Sequence, residues 1–193
     1  MKLLGTPSFQ RSLLAAVAAL GLVAACGDVD SFKIRSSGWG DTEPLVDWNG
    51  TLVQLVRVTV PCVAQDSEGL IVPVSTHMEF PGERVATLKA SCSVGVEAEV
   101  SIDIEGRSII YDFSSVTAAG VFTAAKFNGY VFTDIASSAP EIVGATIDRG
   151  VSTLQLDEDA LQAEGRVVRA NFEGVSFDET DFLKIDLVFA EQD

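Results

Sequence analysis

Residues 86–104 read "ATLKASCSVGVEAEVSIDI". Ala86, Leu88, Ala90, Cys92, Val94, Val96, Ala98, Val100, Ile102 and Ile104 share one parity. From Ser91 onward the other parity carries Ser91, Ser93, Gly95, Glu97, Glu99, Ser101 and Asp103. Successive side chains of a strand point to opposite faces. The alternation therefore predicts a half-buried strand with its apolar face on a core. The run is longer than a usual strand of roughly 3–10 residues, which predicts a bulge or break near Ser93 to Gly95.

The same period recurs on both sides of this stretch. "TLVQLVRVTVPCV" (51–63) and "GLIVPV" (69–74) read as strands. The second reads as a sheet edge, because Pro73 cannot donate to a ladder. "STHMEFPGER" (75–84) holds a turn at its Pro-Gly pair. "EGR" (105–107) reads as a hairpin turn and "SIIYDFSS" (108–115) as the returning strand. Further strands are predicted over 120–127, 129–135, 141–147, 152–156, 166–172, 174–177 and 182–190. In the last, Leu183, Ile185, Leu187 and Phe189 face one way, Lys184 and Asp186 the other. Only "LDEDALQAEG" (156–165) reads as a helix, of one or two turns, stopped by Gly165. Many short strands without a βαβ rhythm predict an all-β domain over 51–193. The expected form is an antiparallel β-sandwich, jelly-roll or immunoglobulin-like. A barrel would show the same pattern.

About half of the 193 residues are hydrophobic, enough for a packed core. The net charge is -15. Removing residues 1–25 takes away Lys2 and Arg11 and no acid, leaving 11 basic against 28 acidic residues, or -17. Such a surface repels phosphate backbones and anionic lipid head groups. Nucleic acid is a disfavoured partner, and any membrane attachment is expected to be covalent.

Lys2 and Arg11 form a positive stretch, and "SLLAAVAALGLVAA" (12–25) an apolar run too short for a comfortable span of about 20 residues. The run ends in "LVAAC", Leu22 to Cys26, which resembles the lipobox of bacterial lipoproteins. That resemblance covers residues 1–26 only. It implies cleavage between Ala25 and Cys26 and a diacylglyceryl thioether on Cys26. It also implies a lipid-anchored place in the bacterial cell envelope. Gly27 follows the cysteine where an Asp directs inner-membrane retention in some bacteria, so the outer membrane is favoured. Two or three acyl chains hold stably where one does not, at about 0.8 kcal/mol per buried methylene. Residues 26–50 then read as a polar tether that becomes structured toward its end. Trp39 and Trp48 are read as packing residues or first contacts with the domain, ahead of carbohydrate stacking.

With Cys26 lipidated, Cys62 and Cys92 remain as a pair in an oxidising compartment, and a disulfide between them is expected. Its loop of about 30 residues would contribute roughly 3–4 kcal/mol in the chain-entropy model.

Chemistry is harder to find. His77 is the only histidine, which excludes the usual multi-histidine metal sites. It reads as an exposed turn residue. No GxSxG elbow occurs. The acidic groups "LDEDAL" and "FDETDF" offer oxygen ligands of the kind calcium takes, with Asp157, Asp159, Asp178 and Asp181 as candidates. Neither has EF-hand spacing, and solvated loop charges or helix-start acids are the favoured reading. The expectation is a lipid-anchored envelope protein, not an enzyme, whose sandwich binds an envelope protein or glycan or serves as a structural component. A calcium-assisted adhesion or carbohydrate-binding module is the alternative. An envelope hydrolase, which would need His77, ranks last.

Overall fold

The computed structural model describes residues 46–60, 69–88 and 99–191. In chain order the strands are β1 (Leu52–Val60), β2 (Leu70–Pro73), β3 (Ser101–Glu105), β4 (Ser108–Asp112), β5 (Gly120–Val121) and β6 (Phe127–Asp134). They continue as β7 (Ile142–Ile147), β8 (Leu161–Glu164), β9 (Val167–Asn171), β10 (Ser176–Phe177) and β11 (Phe182–Phe189). One short helix, α1 (Gly82–Val85), interrupts them.

Every strand pair is antiparallel. A five-stranded sheet runs β2-β1-β6-β9-β8 and a four-stranded sheet β3-β4-β11-β7; β5 and β10 pair separately. The two larger sheets enclose one core, as an antiparallel β-sandwich does. From the first come Val53, Leu55, Phe132 and Val168, and from the second Ile102, Ile104, Ile109 and Ile185, all with no exposed surface. Short crossings tie the sheets at both edges. Phe80, beyond β2, exchanges both backbone bonds with Ile102 of β3, at 3.0 and 2.8 Å. Ile142 of β7 donates to Gly165, between β8 and β9, at 2.6 Å.

Trp48 has no exposed surface and packs edge-on against Phe189 at 6.5 Å. Its N–H donates to Gly106 O at 3.1 Å. Gly106, at φ +58°, opens the two-residue connection between β3 and β4, a place where glycine carries no Cβ penalty.

The founding stretch 86–104 is a strand only from Ser101 among its described residues. Residues 89–98, with Cys92 and the expected break, lie outside the described residues. Ala86 and Thr87 continue α1 as a turn, and Leu88 N–H donates back to Val85 O at 2.9 Å, because Val85 and Leu88 are buried three residues apart, which a helical turn satisfies and a strand does not. The helix expected over 156–165 is also corrected. It is a 3-10 turn, Glu158–Ala160, followed by strand β8. Leu161 and Ala163 face inward opposite Ala170 and Val168, while Gln162 and Glu164 are exposed. The ladder groups of β9 outweigh the helix propensity of these residues, which is a weak prior. Residues 152–156 form no strand, although Leu154 and Leu156 are buried, and 120–127 keeps only β5 and the first residue of β6.

Candidate functional site

Inward positions of β1 carry Val53 and Leu55, and then Arg57 and Thr59. An arginine on a core face needs acceptors for its fork of donors. Arg57 Nη1 donates to Gly129 O at 2.9 Å and Val58 O at 3.1 Å, and Nη2 to Asn128 Oδ1. Its guanidinium lies over the Tyr130 ring at 4.9 Å and the Phe122 ring at 5.6 Å. Such cation–π contacts contribute about 0.5–2 kcal/mol each. Asn128 is itself held, donating Nδ2 to Thr123 O at 2.7 Å and its N–H to Asn171 Oδ1 at 2.8 Å. Among the described residues no carboxylate pairs with Arg57. Beside it Tyr111 is fully buried, and its hydroxyl has no hydrogen-bond partner among the described residues. Burial pushes the Tyr111 hydroxyl well above its ordinary pKa, with Tyr130 adding to the rise and Arg57 opposing it. Phe172, 5.1 Å from Tyr111 and 5.0 Å from Phe122, completes a basin of aromatic faces around one cation. The arrangement satisfies the guanidinium from within the fold, and among the described residues around it there is no nucleophile–base pair.

Two glutamates close the edges of the four-stranded sheet. An edge strand leaves N–H groups open, and a carboxylate can fill the place of a missing neighbour. Glu79, 5% exposed, accepts from Ile104 N–H of β3 at 2.9 Å and from Ser75 N–H at 2.7 Å. On the far edge Glu158 accepts from Ile147 N–H of β7 at 3.1 Å through both oxygens. Asp134, 2% exposed, brackets a loop by accepting from Thr51 Oγ1 at 2.6 Å, Ser137 N–H at 3.0 Å and Ala139 N–H at 3.2 Å.

Burial raises the pKa of Glu79, and a side-chain hydrogen bond with Asp103 raises it further, against the pull of the two N–H donors. The folded chain therefore keeps this proton to higher pH than the unfolded chain. The stability Glu79 supplies is complete below the ordinary value of 4.5 and is lost as pH rises through the raised folded value. Glu79→Gln is expected to flatten this fall in urea-unfolding midpoints measured from acid to neutral pH. It is also expected to cost about 1–3 kcal/mol, since the amide nitrogen faces one of the two N–H groups. An unchanged pH slope would remove Glu79 as its cause.

The residues singled out by sequence are dispersed. Cys26, Cys62, Cys92 and Trp39 lie outside the described residues. His77 is exposed in the loop after β2, and its backbone N–H donates to Ser75 Oγ at 3.2 Å. Ser75 Oγ is otherwise directed at Glu79, at 3.4 Å, so the short loop brings a serine, a histidine and an acid together without a serine–imidazole bond. Asp157 and Asp159 are exposed. Asp178 Oδ1 accepts from Thr180 N–H at 2.8 Å and Thr180 Oγ1 at 2.6 Å, bonds that lower its pKa. Asp181 Oδ2 accepts from Asp178 N–H at 2.8 Å. These carboxylates are spent on their own turn, and among the described residues no group of three His, Cys, Asp or Glu could hold a metal ion. Arg57 was the residue missed. The only signal in the sequence was a charge on the apolar parity of "VQLVRV". No family model, curated protein or solved structure matches the chain.

Proposed function

We propose that this chain is a lipid-anchored protein of the bacterial cell envelope whose β-sandwich is displayed from the membrane to bind an envelope protein or glycan, or to serve as a structural component. The observation that carries this reading is the order of positive residues, apolar run and "LVAAC" ending at Cys26. The charge supports it, because a surface this acidic is held at a membrane by acyl chains rather than by attraction to lipid head groups. Cys62 and Cys92 form a disulfide in this reading, formed after export.

The full chain expressed in a bacterium is expected to yield a mature protein that begins at Cys26. Intact-mass measurement should find a diacylglyceryl adduct, and the protein should partition into the detergent phase. Cys26→Ala should accumulate as an uncleaved precursor without lipid. A wild-type chain cleaved elsewhere, or one carrying no acyl mass, would refute the anchor.

A further inference from the structure

The two outer faces of the sandwich differ in kind. On the four-stranded sheet Lys184 Nζ lies 3.2 Å from Asp148 Oδ2 and 3.3 Å from Asp186 Oδ1, and Asp186 accepts from Ser108 Oγ at 2.7 Å. On the five-stranded sheet the outward positions of β1, β2 and β6 carry no charged residue, in a chain with 28 acidic ones. They hold Leu52, Val56, Val58, Ile71 and Val131, and Ile135 follows β6 opposite Leu52. Leu52, Ile71 and Ile135 are 41, 51 and 40% exposed. Four of the five outward positions of β1 are apolar, Leu52, Val56, Val58 and Val60, against two of the four inward ones, although the core lies on the inward side.

Charge returns to this face only at its β8–β9 side. Glu164 of β8 and Arg169 of β9 are exposed, opposite in sign, and make no ion pair among the described residues. With Gln162 and Val167 they border a shallow hollow. We propose that this face docks a second copy of the chain, sheet against sheet, about a two-fold axis. An axis in the plane between the sheets, running across the strands between the rows of Gln54 and Val56, sets β1 over β1. Leu52 then lies over Val58 and Glu164 over Gln162, with Glu164 of each copy in the same row as Arg169 of the other, one strand apart. A two-fold contact requires this kind of self-complementarity, residue i meeting j and j meeting i. The five strands hold 9, 4, 8, 5 and 4 residues, and at about 3.4 Å per residue and 4.8 Å per strand they make a face on the order of 500 Å² in projection, the size of a weak, reversible interface. The inference does not depend on the lipid anchor.

Sedimentation equilibrium of the full chain in density-matched detergent, across a wide concentration series, tests it. A reversible dimer is expected. Ile71→Lys and Arg169→Glu should each weaken it by about tenfold or more, with folding checked by circular dichroism. Arg169→Glu combined with Glu164→Arg should restore it, because the two-fold contact exchanges both charges at once. A chain that stays monomeric throughout overturns the proposal, as does a dimer indifferent to these substitutions. A monomer that binds neutral phosphatidylcholine vesicles, and loses that binding in Ile71→Lys, assigns the face to lipid instead.

Discussion

Gly129→Ala is expected to destabilise the sandwich by about 3 kcal/mol or more, lowering Tm by roughly 6–12 °C. Gly129 sits in β6, paired with Val58 on one side and Asn171 on the other, in the middle of the five-stranded sheet. A Cβ added there would lie 1.8 Å from Ala170 O and 2.9 Å from its carbonyl carbon. Both are backbone atoms, so no side-chain rotation relieves the clash. β6 and β9 would have to part, breaking the ladder and moving the Gly129 carbonyl that accepts from Arg57. Gly144 in β7 is the control, since its added Cβ meets only Val188 side-chain atoms, at 3.8 and 3.9 Å. Gly144→Ala should stay within about 1 kcal/mol of wild type, because the added methyl meets ordinary van der Waals contact and makes the unfolded chain less flexible. Chemical unfolding of the two variants side by side checks this. Equal stabilities would show that the sheet yields at Gly129 without cost.

Trp48→Ala should cost about 3–5 kcal/mol, a fall in Tm on the order of 10 °C. The indole is wholly buried against Phe189, and the Trp48 backbone closes a turn by accepting from Thr51 N–H at 3.0 Å. A chain that starts at residue 51 should lose at least as much, because it also lacks the donor to Gly106 O. Thermal unfolding of both forms is the measurement. A truncated chain as stable as the full one would make residues 46–50 an ornament of the surface.

Periodicity carried the fold a long way. In "FLKIDLVF" the buried Leu183, Ile185, Leu187 and Phe189 and the outward Lys184 and Asp186 stand as alternation requires. Pro73 marked an edge strand, and β2 is one. The same logic failed at Ala86–Leu88, where two apolar residues on one parity belong to a helical turn instead. It failed again at 156–165, where good helix formers complete a sheet. Short apolar runs satisfy more than one period, and only the neighbours available in space choose between them.

The candidate site was less legible. Arg57 could be seen as a charge at an inward position, but its acceptors Gly129 and Asn128 come from another strand, and Phe122 from a loop. Glu79 and Glu158 read as loop acids until Ile104 and Ile147, on opposite edges of one sheet, are placed beside them.

The amino-acid sequence by itself determined the all-β class, most strand positions and the expectation of an anchor at Cys26, because parity and the order of charge, apolar run and cysteine are local properties of the chain. The tertiary structure alone decided that a Cβ at Gly129 would meet the backbone of β9, that Glu79 and Glu158 seal strand edges, and that β1, β2 and β6 turn an uncharged, mostly apolar surface outward. Each of these depends on atoms distant in sequence and brought within a few ångströms by strand pairing, a relation that local pattern does not encode.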